Sequence, residues 1–381
     1  MISFFGRTNT AKSSNARPRS GLRIAVDVNV FMDGKGSGIP TYLEFLLNQL
    51  QVIDKKNEYF LFETRQSKYR VTNPLWNKLL FPTILPGTLW IQLVFPILLL
   101  RHKIDVLWSP KFLCPLFYLR SIRVFTTIHD LTMFRFSQTM ASKDRLLMRY
   151  LVPLSINRSN AIFTDSFFIK RDIENHFRNL RKLVIAVPLG KPDWKIPEKY
   201  SAHQRGDFLF FAGNLEPRKN LLNVFKALEI LFDTGTAPEI HVAFPGSWKA
   251  GEALEYVNNS KIKASVKMLG FLSVSDLQHN YLSCKALVYP SVYEGFGLPV
   301  LEALSLDCLV LTSAGTVMQE VAEDSALYFN PFDPRDIAEK IRSIYSDNFD
   351  RTPYLRNRDK ILSKYSWKTA AERILSSFEE T

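Results

Sequence analysis

Residues 285–302 of the chain read KALVYPSVYEGFGLPVLE, and this stretch gives the clearest indication of the fold. The run Lys285–Tyr289 is mostly apolar and predicts a short buried strand. Pro299 suits the first turn of a following helix, because its missing N–H would have no partner there anyway. Strand, glycine-rich loop and helix in this order form the repeating unit of an open α/β sheet, whose ligands bind beyond the carboxyl ends of the strands.

Two glutamates bracket the glycine-rich loop and are candidate site residues. Glu294 should extend from the loop, and Glu302 should lie near the end of the first helical turn. The amides of Phe296, Gly297 and Leu298 would lack partners within the helix and would point towards an anion at the positive end of the helix dipole. Because carboxylates accept hydrogen bonds from vicinal hydroxyls and free amides bind phosphate, the loop predicts a sugar-nucleotide site.

The same alternation of strand and helix runs through most of the chain, which predicts two doubly wound domains with parallel sheets. The strand-like runs before residue 190 are Leu22–Val28, Glu58–Glu63, Ile104–Trp108, Arg123–Ile128, Ala161–Thr164 and Lys182–Val187. Those after residue 206 are Asp207–Gly213, Glu239–Phe244, Ser265–Leu269, Lys285–Tyr289, Leu309–Thr312 and Ala326–Phe329. The clearest helical patterns are Pro40–Gln51, Asp144–Ile156 and Lys368–Glu380.

The boundary between the two domains is indicated by a change in composition. Residues 188–206 read PLGKPDWKIPEKYSAHQRG and break the alternation, so we expect a hinge near residue 190. The expected division is an N-terminal domain over residues 21–190, a C-terminal domain over residues 191–365 and a final helical segment over residues 366–381. Residues 1–20 are basic and polar without the apolar run of a secretion signal, and we expect them to form a disordered arm.

Composition places the chain among ordinary globular proteins. Its 381 residues suffice for two domains that each bury a core, and 46% of them are hydrophobic and 23% charged. The cysteines Cys114, Cys284 and Cys308 are far apart and form no Cys-X-X-Cys or Cys/His cluster, so neither a disulfide framework nor a zinc site is predicted. A reducing cytoplasm is therefore expected. The longest apolar stretch, Leu89–Leu100, is too short to span a bilayer.

Positive charge is concentrated in the first half of the chain. Residues 1–190 contain 27 Lys and Arg and 12 Asp and Glu, a net charge of +15, whereas residues 191–381 contain 22 and 25, a net charge of −3. The excess indicates an anionic lipid surface or nucleic acid as a partner, or else scattered solvated charge. No RNP-like, helix-turn-helix or zinc-finger pattern supports nucleic acid. Aromatic residues near Lys and Arg favour the lipid surface, namely Trp90, Phe95, Phe112, Phe117 and Tyr118.

A second candidate segment follows the first predicted strand of the second domain. Residues 211–220 read FAGNLEPRKN, and Arg218 and Lys219 should open a helix. Positive charge is unfavourable there, because the helix dipole already makes this end positive. A bound diphosphate would supply the compensating negative charge. The planar guanidinium of Arg can donate two hydrogen bonds to a phosphate, and the ammonium of Lys acts as a compact positive charge. The pair predicts a phosphate site, with Gly213 at the strand end beside it.

A glycine-rich loop in the first domain allows a second prediction of the ligand. The loop Asp33–Thr41 contains Gly36 and Gly38 and follows the first predicted strand. It partly matches the fingerprint of dinucleotide-binding folds, in which Glu63 would accept the ribose hydroxyls. An NAD-binding enzyme is therefore an alternative prediction.

Two further segments at strand ends are candidates for polar contacts. His129 and Asp130 follow the strand Arg123–Ile128, and a polar side chain at this edge of a sheet is well placed to act on a ligand. Asp130 is expected to orient a neighbour or cap a helix rather than act as a base. Residues 270–272 follow a strand of the second domain, and this loop, which includes Leu272, is expected to face the nucleotide base through backbone groups.

These segments together resemble the motifs of retaining glycosyltransferases of family 4. Residues 294–302 resemble the family's EX7E motif, residues 213–220 its GxLxPRKN element and residues 129–130 its His-Asp element. The resemblance runs from Gly21 to about Glu380 and is most specific in the second domain. It implies the GT-B fold, with two Rossmann-like domains that face a cleft and a C-terminal helix that crosses back to the first domain. The motifs are most similar to those of mannose or rhamnose transferases that build bacterial surface polysaccharides.

The resemblance also implies a role for each candidate residue. The C-terminal domain would bind the nucleotide sugar, and the N-terminal domain would bind the acceptor. Glu294, His129, Arg218 and Lys219 would be catalytic, with His129 in contact with the transferred sugar and the departing phosphate. The nucleotide-sugar-binding set would consist of Glu302, Gly295, Phe296, Gly297, Leu298, Gly213, Gly36, Gly38 and Leu272.

The implied reaction moves a hexose, with GDP-mannose as the favoured donor, onto a lipid-linked or glycan acceptor with retention of anomeric configuration. No Asp-X-Asp motif is present, so Arg218, Lys219 and helix N-termini are expected to act on the diphosphate without a metal or other cofactor. The expected location is the cytoplasmic face of the membrane, with anionic lipid and not nucleic acid as a partner. A different GT-B enzyme, either a phosphorylase or a sugar-nucleotide epimerase, is the remaining alternative.

Overall fold

The structure is a computed structural model that describes residues 21–33, 38–137, 142–198, 200, 205–244 and 251–380. Two parallel β-sheets, of seven and six strands, lie in successive halves of the chain and are covered by helices. The two doubly wound domains with parallel sheets that the sequence predicts are confirmed.

The first sheet is formed by residues 23–186. Its strands are β1 Arg23–Asp27, β2 Glu58–Glu63, β3 Trp76–Leu80, β4 Val106–Ser109, β5 Arg123–Thr127, β6 Ala161–Thr164 and β7 Leu183–Ala186. They lie in the order β3-β2-β1-β4-β5-β6-β7, and every pair is parallel. The sequence predicted six of these strands and missed β3. This edge strand exposes Asn77 and Leu80, so it lacks the continuous apolar run that marks its neighbours.

Helices cover both faces of the first sheet. They are α1 Gly38–Ile53, α2 Gly87–Leu89, α3 Phe95–Arg101, α4 Thr132–Arg135, α5 Ser142–Arg158 and α6 Phe167–His176. A π-helical stretch over Trp90–Val94 joins α2 to α3, so residues 87–101 form one helical segment. We call this segment the 87–101 helix.

The alternation of side chains along the strands assigns these helices to faces of the sheet. Leu107 of β4 and Val124 of β5 pack with Phe95 of the 87–101 helix. On the same face, Ile162 of β6 packs with Val152 of α5. The intervening strand residues form a core with α1 on the opposite face. The 87–101 helix and α5 therefore lie on one side of the domain, and α1 lies on the other.

The second sheet has six strands, each close to its predicted position. They are β8 Phe208–Ala212, β9 Glu239–Ala243, β10 Val266–Gly270, β11 Ala286–Tyr289, β12 Leu309–Ser313 and β13 Leu327–Phe329, in the order β10-β9-β8-β11-β12-β13. The order reverses between β8 and β11, and the loops after these strands meet at that point. A topological switch point of this kind is where open α/β sheets bind ligands.

The helices of the second half surround this sheet. They are α7 Leu221–Asp233, α8 Gly251–Asn259, α9 Val274–Ser283, α10 Leu298–Ser305, α11 Met318–Ala322, α12 Pro334–Ile344, α13 Thr352–Arg356 and α14 Arg358–Leu362. In the described part of the chain, none of the helices combines the length and apolar character needed to cross a membrane.

The last helix, α15 Trp367–Glu380, packs on the first domain. Its Phe378 ring lies 5.0 Å from that of Phe125 in β5, and its Trp367 ring stacks at 5.0 Å on Phe45 of α1. A Cβ atom on Gly190 would lie 2.3 Å from Trp367, so only glycine allows the chain to pass this close to the helix. The predicted return of the C-terminal helix to the first domain is therefore confirmed.

Candidate active site

Glu294 lies in the loop after β11 and is the centre of a buried charged cluster. Its Oε1 is 2.8 Å from Arg218 Nη1 and 2.6 Å from Lys219 Nζ, and Ser291 Oγ donates a hydrogen bond to the same oxygen. Burial alone would raise the pKa of Glu294, but the two cations outweigh burial and lower this pKa to about 2. Glu294 is therefore a carboxylate at neutral pH, and it accepts hydrogen bonds without supplying a proton.

Arg218 and Lys219 occupy a short 3-10 turn in the loop after β8. Residues 211–220 lead into a helix as predicted, but Asn220 has a φ of +59° and α7 begins only after it, so Arg218 and Lys219 precede the helix. Their charges are compensated by side chains instead. Glu216 Oε2 lies 2.8 Å from Arg218 Nε, in addition to the contacts with Glu294.

Lys219 is the most enclosed cation of the cluster. Its Nζ donates a hydrogen bond of 2.6 Å to Tyr289 Oη and lies 4.9 Å from the centroid of that ring. Burial lowers the pKa of Lys219, and the nearby Glu294 carboxylate offsets only part of this effect. Because β8 and β11 are neighbours at the switch point, their loops bring Lys219 and Glu294 together although the two residues are far apart in the sequence.

The loop from Gly295 to Leu298 leads into α10. Gly297 has a φ of +113°, a conformation that favours glycine, and Pro299 lies in the first turn of the helix as predicted. Among the described residues, the amides of Phe296, Gly297 and Leu298 have no hydrogen-bond acceptor. They lie at the positive end of α10 beside the charged cluster, so this loop can bind an anionic group.

Glu302 lies on α10 and is bound to a tyrosine of α9. Tyr281 Oη donates a hydrogen bond of 2.8 Å to Glu302 Oε2. Burial raises the pKa of Glu302 to about 7, and the bond from Tyr281 offsets only part of this rise. The two glutamates of the motif therefore differ at neutral pH: Glu294 is fully ionised beside two cations, whereas Glu302 is close to its own pKa.

His129 lies at the end of β5, and both of its ring nitrogens are engaged by the protein. Nδ1 is 2.8 Å from Asp165 Oδ2, and Nε2 is 2.8 Å from Pro110 O. Burial alone would lower the pKa of His129, but the Asp165 carboxylate outweighs burial and raises it. A ring with a proton on each nitrogen can donate one N–H to each partner, because a carboxylate and a carbonyl oxygen both accept hydrogen bonds. The contact of His129 with the transferred sugar and the departing phosphate stays a prediction.

The backbone of Gly295 brings the loop of the second domain against the first domain. A Cβ atom at this position would lie 2.3 Å from His129 O and 3.7 Å from Asp165 Oδ2. Ser166 Oγ donates a hydrogen bond of 2.8 Å to Gly295 O. Only glycine permits this approach, which places the charged cluster next to His129.

Several residues that join the two domains at the site were not predicted. Tyr293 Oη donates a hydrogen bond of 2.6 Å to Asp172 Oδ2 and accepts one of 2.9 Å from Leu131 N. Glu320 of α11 accepts hydrogen bonds of 2.8 and 2.7 Å from the first two amides of α6. These pairs join distant parts of the chain, and the only available signal was the position of Tyr293 next to Glu294.

The remaining candidates of the second domain lie at different distances from the cluster. Gly213 follows β8 directly, and a Cβ atom there would lie 3.8 Å from Lys219 Cε, so Gly213 borders the cluster. Leu272 follows β10, the outermost strand of the sheet, and is half-buried against the hydrophobic core. The structure thus places Leu272 two strands away from β8, apart from the charged residues.

The candidates of the first domain are only partly described. Gly38 is the exposed first residue of α1, and Gly36 lies outside the residues that the structure describes. Asp130 Oδ1 accepts a hydrogen bond of 2.8 Å from Thr132 N, but Asp130 precedes the N-cap of α4, which is Leu131. Glu63 is buried, accepts a hydrogen bond from Ser67 N and lies 3.4 Å from Lys78 Nζ. Its carboxylate is therefore not available to a ribose.

Comparison with known proteins agrees with this geometry. The family model described as glycosyl transferases group 1 matches residues 192–365. O-antigen chain mannosyltransferase B of Escherichia coli is 27% identical over 280 residues, which cover 70% of this chain and 73% of that protein. O-antigen chain mannosyltransferase RfbU of Salmonella typhimurium is 27% identical over 220 residues, which cover 57% of this chain and 60% of that protein.

Solved structures with low sequence identity share the fold. Sucrose-phosphate synthase from Thermosynechococcus elongatus has a TM-score of 0.73 at 15% identity, with 94% of this chain and 98% of that chain covered. HepE of Anabaena, in complex with UDP and glucose, has a TM-score of 0.69 at 14% identity, with 94% and 100% covered.

The two parallel sheets share the GT-B fold of these solved structures. The match to the group 1 model and the mannosyltransferase relatives identify the chain as a glycosyltransferase. Such an enzyme uses a nucleotide sugar as donor and a glycan as acceptor. Within this class, residues 192–365 form a group 1 glycosyl transferase domain.

Proposed function

We propose that this protein is a retaining, metal-independent hexosyltransferase that moves mannose from GDP-mannose to a lipid-linked or glycan acceptor during synthesis of a surface polysaccharide. The observation that carries the proposal is the buried cluster of Glu294, Arg218 and Lys219, which lies next to His129 across the cleft. The choice of mannose and of a polysaccharide such as lipopolysaccharide is supported by the O-antigen mannosyltransferases among the relatives.

In this proposal residues 191–365 bind the donor, and residues 21–190 bind the acceptor. The diphosphate competes with the Glu294 carboxylate for Arg218 and Lys219, because both anions bind the same two buried cations. Once the cations turn to the phosphates, the Glu294 carboxylate is free to accept hydrogen bonds from the sugar hydroxyls. Glu302 binds the ribose hydroxyls, and the free amides of residues 296–298 bind the phosphate.

The chemical step breaks the bond between the anomeric carbon and the phosphate oxygen, and the electron pair stays on the phosphate. The acceptor hydroxyl oxygen bonds to the anomeric carbon from the same face, and its proton passes to the departing phosphate. Arg218, Lys219 and the loop amides stabilise the negative charge of the leaving group, a type of interaction that is worth about 3–4 kcal/mol for each donor. The ionised Glu294 stabilises the positive charge that develops on the sugar.

The charge that a metal ion would contribute is supplied by the protein in this mechanism. Arg218 and Lys219 provide two buried positive charges, and the pKa of His129 is raised by Asp165, which favours a third at the cleft. We further propose that the enzyme works in the cytoplasm at the inner face of the membrane, where a lipid-linked acceptor is accessible. The net charge of +15 in residues 1–190 supports this location, since the inner membrane surface carries anionic lipid.

Thermal unfolding with a panel of nucleotide sugars tests the donor. We expect GDP-mannose to stabilise the protein most, by about 2.7 kcal/mol at a concentration 100 times its Kd, and EDTA to leave this effect unchanged. UDP-glucose, dTDP-rhamnose and NAD are the comparison ligands. Stabilisation by NAD alone, or by no nucleotide sugar, contradicts the proposal, and a requirement for a divalent ion contradicts its metal independence.

Product analysis tests the stereochemistry of transfer. With GDP-mannose and an acceptor oligosaccharide, the proton coupling at the new anomeric centre should report the same configuration as in the donor. An inverted product would refute the front-face mechanism even if the donor is correct.

A further inference from the structure

The first domain carries a large apolar surface on the side occupied by the 87–101 helix and α5. Monomeric proteins seldom expose extended apolar patches, and such patches usually mark an interaction site. The aromatic residues expected to face a membrane do not all lie on it. Trp90 and Phe95 are buried and stack on each other at 4.8 Å, whereas Phe117 is 77% exposed.

The 87–101 helix contributes one stripe of this surface. Leu89, Leu93, Ile97 and Leu100 are spaced by four, four and three residues, so they lie along one face of the helix. Each is between 45% and 64% exposed. The opposite face buries its side chains against the sheet, with Phe95 among them. A helix that is apolar on both faces has a second partner besides its own domain.

Helix α5 contributes a second stripe of exposed apolar residues on the same side of the sheet. Leu147, Tyr150 and Leu154 are spaced by three and four residues and are 40%, 66% and 47% exposed. Val152 and Ile156 of the same helix are buried in the core. The exposed residues of α5 therefore face away from the domain, as those of the 87–101 helix do.

The loop over residues 114–119 connects the two stripes into one surface. Gln92 of the 87–101 helix donates a hydrogen bond of 3.0 Å to Cys114 O and accepts one of 2.9 Å from Leu116 N. Ser155 of α5 accepts a hydrogen bond of 3.2 Å from Cys114 N. The loop is thus held between the two helices, and it presents Phe117 to solvent. We call the two stripes and Phe117 together the docking surface.

Positive charge borders the docking surface. Exposed arginines directly follow or precede its apolar segments, with Arg101 after Leu100 and Arg149 before Tyr150. Residues 101–158 contain ten Lys and Arg against three Asp and no Glu. Apolar side chains surrounded by cations match a bilayer that has anionic headgroups, because the former enter the acyl boundary and the latter bind phosphate. A protein partner with an apolar face would not require this excess of charge.

The docking surface begins at the same end of the first sheet as His129, with β3 four strands away from β5. Ile84 is fully exposed and Leu89 begins the stripe, and both closely follow the carboxyl end of β3. In a parallel sheet all carboxyl ends lie at one edge, so this edge also carries His129 after β5. A membrane bound to the docking surface would therefore reach the end of the first domain that carries His129.

We infer that the docking surface binds an anionic lipid bilayer through Leu93, Ile97 and Phe117, and so brings the cleft to a membrane-held acceptor. This inference rests on the proposed function for the nature of the acceptor, but the binding itself does not require it. The binding is peripheral and reversible, since the apolar side chains enter only the interfacial region.

Flotation with vesicles tests the inference on the full chain. The wild-type protein should float with vesicles of phosphatidylcholine and phosphatidylglycerol, and less with phosphatidylcholine alone. The Leu93→Glu/Ile97→Glu variant should bind anionic vesicles at least about tenfold more weakly, because two apolar side chains no longer enter the bilayer and two charges repel it. Phe117→Glu should weaken binding in the same direction.

Two matched variants serve as controls. Val52 on α1 is 65% exposed on the other side of the first domain, and Val274 on α9 is 62% exposed in the second domain. Val52→Glu and Val274→Glu each introduce one negative charge, as Phe117→Glu does, and the two together introduce as many as Leu93→Glu/Ile97→Glu. Neither control, nor their combination, should change vesicle binding. Melting temperatures of all variants, and their stabilisation by GDP-mannose, verify that the fold and the donor site are intact.

The outcomes separate this inference from the proposed function. The inference is overturned if the wild type does not float with vesicles, or if the docking-surface and control variants bind equally. Neither result affects the donor assays, which test the proposed function independently. Dimerisation of the wild type that is lost in Leu93→Glu/Ile97→Glu, without vesicle binding, would assign the surface to a second copy of the chain and also overturn it. Vesicle binding without stabilisation by any nucleotide sugar would instead refute the proposed function.

Discussion

Replacement of Glu302 by Gln should stabilise the unliganded protein in alkaline solution and much less in acidic solution. Burial raises the pKa of Glu302 to about 7 from an ordinary value of 4.5. Between these values the folded protein retains a proton that the unfolded chain has released. The folded state therefore loses stability as the pH rises from the ordinary pKa to the folded pKa, and the loss is complete above about pH 7.

The size of the effect follows from the interval between the two pKa values. Each unit of pH over which only the folded chain holds the proton costs about 1.4 kcal/mol, so the whole interval corresponds to about 3 kcal/mol. The side chain of Glu302 is half-buried rather than fully enclosed, and contact with water reduces the expected value towards about 2 kcal/mol. Gln cannot ionise, and its carbonyl oxygen can still accept the bond from Tyr281. The variant should therefore avoid the whole cost.

Urea unfolding at pH 5 and at pH 8.5 measures this difference. Relative to the wild type, the Glu302→Gln variant should gain about 2–3 kcal/mol at pH 8.5 and less than about 1 kcal/mol at pH 5. Glu339→Gln, on the exposed face of α12, is the matched control and should change neither value. The same Glu302 variant should bind nucleotide more weakly, because it has lost the acceptor charge. A gain of equal size at both pH values would refute burial of an ionisable group as the cause.

Three further predictions concern the charged cluster and its contact with His129. Lys219→Ala should lower kcat by about 100-fold with a smaller change in KM, because a cation beside the leaving group is lost; steady-state transfer kinetics decide, and a dominant effect on KM would contradict the assignment. Gly295→Ala should lower kcat/KM by more than about tenfold, because its methyl group would lie 2.3 Å from His129 O. Gly87→Ala is the control and should have no effect, because no atom lies within 4 Å of the added methyl group. Asp165→Asn should destabilise the protein more at pH 5.5 than at pH 9. The raised pKa of His129 stabilises the fold at low pH, and this stability is lost as the pH rises through that pKa. Equal destabilisation in urea at both pH values would show that the charge of His129 is not involved.

Much of the fold could be predicted from local patterns. The unit formed by β11, its loop and α10 was predicted from residues 285–302, because a buried strand and a helix start each have a signal within a few residues. The prediction failed where that signal was weak or ambiguous. The edge strand β3 exposes Asn77 and Leu80, and the left-handed Asn220 places the start of α7 after Arg218 and Lys219.

The candidate site was predicted as a set of residues but not as a set of contacts. The motif resemblance named Glu294 and Lys219, yet it gave no indication that they form an ion pair that holds the pKa of Glu294 at about 2. The pairing of His129 with Asp165 and that of Glu302 with Tyr281 were not predicted, because the two partners of each pair lie on different elements. A hydrogen bond between distant elements leaves no periodic trace in the sequence.

The amino-acid sequence by itself determined two parallel α/β domains, the positions of most strands and the loops that carry the acids and bases. These properties depend on spacing over a few residues, which hydrophobic periodicity and turn residues record directly. Only the tertiary structure decided which charges neutralise one another, which ring nitrogens of His129 are occupied, and that Trp90 is buried while Leu93 and Ile97 face solvent. The reason is physical: burial and charge pairing are set by elements that meet in space, and the order of strands in a sheet, rather than the order of residues in the chain, decides which elements meet.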